Sequence, residues 1–441
     1  MFMIRKIRRI RLKPSIEKRK LIYSKNYDTE ESLRIQLDLF NKEWIRIRHD
    51  VPFYRDLYLE KNLPDAFRSW HEIISSFPVI DRKTIQANCD NLMNHTKRAD
   101  WYRITGGSTA EPIQIPSWHS ENKFTSPDMW LARSWYGIQP SDRLFLIWGH
   151  SHLLGRGLAG LYKRLIRQIK DHLLGYYRFS AYNINRTSMR KAGEGLIRYR
   201  PQYIIGYSNA LDAFARANED RANQLSSLKL KAVIGAAEGF PATDSKECIE
   251  KVFGAPVAME YGAVETGLMA HTHPNGGYTA FWRTYFIEAA ENGSSEGRKV
   301  RITSLFPRCF PLIRYEIGDE IELQAGLAAL GVRQFQRVMG RSSDYLLLPD
   351  GSRIHATLIN DVIRSYIEIK GFQSIQDSNE ICLALVAKEL TNETLRNIRY
   401  SMGIIHPYLA NIKIETVENL EQSIAGKTPI VIKKGTINET D

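Results

Sequence analysis

The chain has 441 residues, 43% of them hydrophobic and 25% charged, with a formal net charge of +12. That composition excludes disordered and fibrous classes, and the length exceeds what one hydrophobic core usually fills, so a large domain with a smaller companion is expected. No run of about 18 apolar residues is present to cross a bilayer, and the charged N-terminus lacks the apolar core of a secretory signal, so a cytoplasmic protein is expected.

The charge is unevenly placed. Residues 1–20 hold nine Lys/Arg against Glu17 alone, which puts +8 in this arm and about +4 in the remainder. Ile4, Ile7, Ile10 and Leu12 interleave with the basic residues, a pattern suited to an anionic surface at the inner face of a membrane. The other reading of the same residues is a solvated terminal arm. Nucleic acid is not expected as a partner, because the body is not strongly basic and no recognition motif accompanies the arm.

Beyond the arm, Asp28-x-x-Glu31 before Leu33, Leu37, Phe40 and Trp44 predicts a capped amphipathic helix, ended by proline at Val51-Pro52-Phe53-Tyr54. A second helix is predicted over Ser126–Tyr136, starting near Pro127 and burying Trp130, Leu131 and Trp135. Arg143–Trp148, Tyr203–Ile205, Ala232–Ile234 and Val257–Glu260 are short apolar runs bounded by glycine or proline and read as strands. Helical patterns at about 209–219 and 243–252 intervene, so the middle reads as βαβ units with a largely parallel sheet. Ligands of such sheets sit outside the carboxyl ends of the strands, where the glycine-flanked segments after Ile234 and Glu260 fall. After Gly340-Arg341-Ser342-Ser343-Asp344 the pattern becomes a small α+β domain. The expected divisions are 1–25, 26–340 and 341–441.

Cys89, Cys248, Cys309 and Cys382 have no C-x-x-C spacing and read as reduced residues. The pairs His150/His152 and His271/His273 are too sparse to commit to a zinc site.

Three separated stretches carry chemistry suited to one nucleotide. Thr105–Pro112 (TGGSTAEP) offers backbone N–H groups and small hydroxyls to a polyanion. In Tyr261–Glu265 (YGAVE) a carboxylate follows a Tyr-Gly turn and can hold a metal ion, and Asp319 behind Gly318 can accept ribose hydroxyls. Lys427 in Ala425–Lys427 can bridge two anionic oxygens.

Taken in order, these stretches with Val51–Tyr54 (VPFY), Phe77–Lys83 (FPVIDRK), Gly235–Glu238 (GAAE), Phe310–Asp319 (FPLIRYEIGD) and Gly340–Asp344 resemble the phenylacetate-CoA ligase and CapK-like branch of the adenylate-forming enzymes. The resemblance implies an α/β fold with a large N-terminal domain and a small mobile C-terminal lid hinged at Arg341–Asp344. It implies ATP and Mg²⁺ as cofactors. A carboxylic acid would be converted to an acyl-adenylate with release of pyrophosphate, then passed to coenzyme A or to an amine or hydroxyl in polysaccharide biosynthesis.

The same resemblance assigns residues. Thr105, Gly106, Gly107, Ser108 and Thr109 would wrap the β- and γ-phosphates. Gly235, Ala236, Ala237 and Glu238 would border the adenine, Tyr261 with Gly262 would stack on it, and Glu265 would coordinate Mg²⁺. Asp319 would take the ribose, with Arg314 and Arg341 in support. Lys427 would contact the attacking carboxylate and the α-phosphate in the transition state. His150, Tyr207 and Ser208 are the candidates for the acid pocket. Ala110, Val264 and Ser343 depart from the pattern, which keeps open a catalytically degenerate nucleotide-binding or scaffold protein.

Overall fold

The computed structural model describes residues 2–434 except 105–112, 149–156, 182–185, 243, 292–296, 325, 342–344, 351–352, 356–358, 360–361, 364–365, 367, 378–379, 388 and 422–427. Contacts divide the chain into two compact units. One holds Met1–Arg5, Asp142–Val257 and Gly340–Asp441, and the other holds Lys6–Ser141 and Ala258–Met339.

In the first unit the strands Ala232–Ala236, Tyr203–Tyr207, Leu144–Trp148 and Tyr176–Ser180 lie side by side in that order. All three pairings are parallel, with Leu144 opposite both Tyr176 and Tyr203, and Tyr203 opposite Ala232. Parallel strands need crossovers, and the helices Gly157–Leu174, Arg186–Tyr199 and Ser208–Ala217 lie on them. The strands Tyr203–Tyr207 and Ala232–Ala236 are buried throughout, which accounts for their unbroken apolar runs. The predicted βαβ organisation is therefore the one observed.

Residues 345–434 of this unit carry a separate hydrophobic core around Leu346, Ile359, Leu383, Leu385, Ile398 and Met402. Its sheet runs Lys413–Thr416, Glu380–Ala387, Ile369–Asp377, Val431–Lys434, antiparallel at the centre and parallel at both edges. The helix Asn392–Ile405 packs there. Its first turn is capped by the Thr391 hydroxyl, which accepts from the Thr394 N–H at 3.1 Å.

The second unit begins with helices. Thr29–Asp50 starts as predicted, with the Asp28 carboxylate accepting from the Glu31 N–H at 2.7 Å. Val51 is extended before Pro52, which ends this helix and also opens the next, Pro52–Glu60, at its first position. Phe40 and Trp44 lie nearly parallel, and both meet Phe67 and Phe77, which also pack on each other, edge to face or tilted, with ring centroids 5.1–6.4 Å apart. Trp70 stacks flat on Phe286 at 3.4 Å. This aromatic layer covers an antiparallel run, Tyr285–Ala290, Arg298–Ser304 and Tyr315–Glu322. A second antiparallel run follows from Val257–Ala263 through Gly267–Thr272 and Tyr278–Ala280 to Gln334–Phe335.

Two helices depart from their sequence patterns. The one expected to start near Pro127 spans Asn122–Trp135, because the 3-10 turn His119–Glu121 starts it a turn earlier and leaves Pro127 inside. The basic arm is a helix, Phe2–Tyr23. From Arg8 onward it packs within the second unit: Arg8 lies over the Trp130 ring, Arg19 Nε lies 2.8 Å from the Asp128 carboxylate, and Tyr23 packs on Trp282.

Asp128 is buried, and burial pushes its carboxyl up to about 6 against the opposing pull of Arg19 and of hydrogen bonds from Thr284 and Tyr23. An acid whose folded pKa lies above its unfolded value costs stability when ionised, and the cost is relieved as pH falls through about 6. Wild-type protein is therefore expected to gain stability relative to Asp128→Asn as pH falls from about 7.5 to 5. Urea melts at the two pH values check this. A wild type that loses ground on acidification would overturn it.

Candidate active site

The Tyr261–Glu265 motif forms a tight hairpin. A Cβ on Gly262 would lie 2.2 Å from the Gly267 carbonyl oxygen, so only glycine lets the two strands approach here. The Thr266 hydroxyl bridges the turn, accepting from the Ala263 N–H at 3.2 Å and donating to the Gly267 carbonyl at 2.9 Å. Glu265 is thereby set at the tip, only 8% exposed. Val264 beside it faces solvent.

The Ile313–Asp319 motif meets this hairpin twice. Register slips between Lys299 and Arg301 on the neighbouring strand, and Gly318 takes φ +80°, so the chain bulges and re-aims Asp319. Tyr261 Oη then donates to Asp319 Oδ2 at 3.1 Å, while Tyr315 Oη donates to Glu265 Oε1 at 3.2 Å. Each motif supplies a tyrosine to the other's carboxylate. The Tyr261 ring is buried, edge-on to Tyr278 and Phe335.

A third segment arrives through Arg314. This residue takes φ +51° and is buried against Glu288, with Nε and Nη2 contacts of 3.1–3.2 Å. Its Nη1 donates to the carbonyls of Ile74 and Phe77, each at 2.7 Å, satisfying the end of the helix Trp70–Ser76. Ile80 in turn accepts from the Glu316 N–H at 2.8 Å and donates to the Arg314 carbonyl at 3.1 Å. The short helix Arg82–Ala87, capped by Asp81, starts directly after, and Arg82 Nη1 lies 3.7 Å from Glu265 Oε1.

The strand Trp101–Ile104, which leads into residues 105–112, is anchored through Glu121. Glu121 accepts from the backbone N–H groups of Trp118 and Cys309 at 2.9 and 3.0 Å and from Arg103 at 3.4 Å. Arg308, buried, lies 3.9 Å from the same carboxylate and donates to the Glu265 carbonyl at 2.5 Å. Burial, helped by the neighbouring Arg308 charge, lowers the pKa of the Arg103 guanidinium. Sequence reasoning did not single out Arg82, Tyr315 or Arg308. Arg82 and Tyr315 lie inside quoted motifs, but nothing in a linear pattern says which side chain faces Glu265.

The remaining residues are placed in the first unit. Gly235 and Ala236 end the buried strand Ala232–Ala236, and Ala237 follows at φ +71°, a left-handed conformation that costs a residue with a Cβ about 1 kcal/mol or more. Glu238 folds back onto the helix Ser208–Ala217, its Oε1 accepting from the Asn209 N–H at 3.2 Å. Ser208 is fully buried and its hydroxyl donates to the Glu238 carbonyl at 2.7 Å. Tyr207 packs on Trp148 at 4.4 Å. Thr105, Gly106, Gly107, Ser108, Thr109, His150, Lys427 and the side chain of Arg341 lie outside the described residues.

His271 is buried against Trp135 and Tyr136, with Nδ1 2.8 Å from the Thr272 carbonyl, and burial holds its pKa below the ordinary value. His273 packs on Trp135.

No family model matches the sequence. The chain is 22% identical over 428 residues to Protein CapK of Staphylococcus aureus, covering 93% of each. Among solved structures it is similar to 2-hydroxyisobutyryl-CoA ligase in the postadenylation state in complex with 2-HIB-AMP, with a TM-score of 0.69 and 15% identity over 92% of this chain and 90% of that one. The anthranilate CoA ligase AuaEII in complex with anthranoyl-AMP gives a TM-score of 0.53 and 16% identity over 74% of this chain and 65% of that one. The amide bond synthetase McbA from Marinactinospora thermotolerans also gives 0.53, with 14% identity over 76% of this chain and 68% of that one. The fold is thus that of the adenylate-forming enzymes, as the ordered motifs implied.

Replacing Arg314 with Met should leave Glu288 buried without its counter-charge and release two helix-end carbonyls, a loss of about 3–5 kcal/mol. Denaturant unfolding measures it. A loss under about 1 kcal/mol would show that the clamp is incidental.

Proposed function

We propose that this chain, built on the adenylate-forming fold, is an ATP-dependent ligase that activates a carboxylic acid as its acyl-adenylate, releasing pyrophosphate, and then transfers the acyl group to an acceptor. The supporting observation is the exchange of tyrosine hydroxyls between the two carboxylate motifs, Tyr261 to Asp319 and Tyr315 to Glu265. Two carboxylates more than fifty positions apart are fixed by one another's segments, which suits a site that must present both to a single nucleotide.

In this reading Asp319, oriented by Tyr261, accepts the ribose hydroxyls. Glu265, positioned by the Tyr315 hydroxyl and beside Arg82, is the carboxylate that would hold a hard cation. One protein carboxylate completed by substrate phosphates is the usual way Mg²⁺ is held, and the ion would offset phosphate charge. Residues 105–109 would carry the outer phosphates, with their strand anchored through Glu121 and Arg308. The segment 235–238 would border the base, and His150, Tyr207 and Ser208 the acid. Residues 341–441 would act as a lid hinged at Arg341–Asp344, bringing Lys427 to the carboxylate and the α-phosphate.

The acceptor is the thiol of coenzyme A or an amine or hydroxyl in polysaccharide biosynthesis. Coenzyme A ligases and an amide bond synthetase are both among the similar proteins. No helix among the described residues is long and apolar enough to cross a membrane. The basic helix Phe2–Tyr23, with Ile4, Ile7 and Ile10 exposed, suits peripheral attachment at the inner face of a membrane.

Pyrophosphate release with ATP, Mg²⁺ and a panel of carboxylic acids tests the activation step. At least one acid should give turnover, and Lys427→Ala should slow it by about 100-fold or more while ATP affinity changes little. ATP binding without turnover for any acid would support the scaffold alternative raised by Ala110 and Val264. Turnover that requires an amino sugar would exclude the coenzyme A thiol.

A further inference from the structure

The helix Gly157–Leu174 leaves its most apolar face uncovered. Leu161 is 58% exposed, Tyr162 66%, Leu165 55% and Ile169 52%. At about 100° per residue these four positions fall within a single arc of roughly 100°. A soluble domain rarely turns a contiguous row of large apolar side chains to water unless something covers it.

The charges around the row identify what covers it. The helix carries Lys163, Arg164, Arg167 and Lys170 against a single acid, Asp171. That acid is paired at 2.5 and 3.0 Å with Arg178 on the following strand. Exposed Arg164 and Lys170 lie on opposite sides of the apolar arc, each about 120° from its centre. An apolar stripe bordered on both edges by cations matches the boundary between acyl chains and anionic headgroups, where long basic side chains reach up to the phosphates. A second copy of the chain fits poorly, because twofold pairing of this face would set Arg164 and Lys170 against their own counterparts with no exposed acid on the helix to neutralise them.

We propose that the helix Gly157–Leu174 is a membrane-docking element that lies in the interface of an anionic bilayer, burying Leu161, Tyr162, Leu165 and Ile169 between the headgroups. It is a second contact, separate in sequence from the basic helix Phe2–Tyr23, which repeats the device with exposed Met3, Ile4, Ile7 and Ile10 among Arg and Lys. The proposal does not depend on the adenylation chemistry.

Flotation of the full chain with phosphatidylglycerol-rich vesicles and with phosphatidylcholine vesicles tests it. Wild type should float only with the anionic vesicles and be released by high salt. Leu165→Glu/Ile169→Glu should cut partitioning at least about tenfold, with the N-terminal helix intact. Leu165→Phe/Ile169→Phe should retain binding, separating lost apolarity from misfolding. Arg164→Gln/Lys170→Gln should weaken binding and flatten its salt dependence. Three results would overturn the proposal: the double Glu variant floating like wild type, wild type ignoring both vesicles, or the double Glu change converting a dimer to monomer in sedimentation. Pyrophosphate release measured on the same variants without vesicles keeps this outcome distinct from that of the activation step.

Discussion

The buried pair of Arg314 and Glu288 is the contact on which the candidate site depends. A guanidinium in the interior is tolerable only when its donors are used, and here Nε, Nη1 and Nη2 are all engaged by one carboxylate and two backbone carbonyls. Those carbonyls end the helix Trp70–Ser76, so the same residue closes an ion pair and caps a helix. Because Arg314 sits immediately before Tyr315, locking it also sets the direction in which the Tyr315 hydroxyl reaches Glu265. Ile80, bonded on both sides of the same strand, then delivers Arg82 to that carboxylate. The left-handed φ of Arg314 is strain that this network overcomes.

Around that anchor the site is assembled by exchange. Glu265 and Asp319 are each held by a tyrosine from the other's motif. Moving one carboxylate therefore disturbs the support of the other. Arg308 extends the arrangement to the Glu265 backbone and, through Glu121, to the strand that leads into residues 105–112. In the site proposed above, Glu265 and the strand leading into residues 105–112 share buried partners, and pre-set groups cost little reorganisation when charge develops.

Patterns that depend on neighbouring residues were legible from the chain alone. Asp28 caps its helix because capping is a local hydrogen bond, and the parallel strands at 144–148, 203–207 and 232–236 announce themselves because strands buried on both faces must be apolar at every position. The basic arm was less legible. Its helix is continuous, but Arg19 and Tyr23 leave solvent only because Asp128, Trp282 and Thr284 wait for them more than a hundred residues away in sequence. Pro127 misled for a similar reason, since a proline near a helix start reads as the start unless a 3-10 turn precedes it.

The order of the motifs, their residue types and the glycines they require belonged to the sequence: Gly262 where two backbones nearly touch, and Gly318 where the strand bulges. The tertiary structure alone decided which side chains answer one another. The pairing of Tyr315 with Glu265, the reach of Arg82 and Arg308, the retreat of Ser208 and Glu238 onto a helix, and the outward face of Leu161, Leu165 and Ile169 all depend on which way a side chain points once distant segments pack. Identity and spacing constrain only what lies within a few residues along the chain. Direction is set by the burial of surfaces contributed by many segments at once.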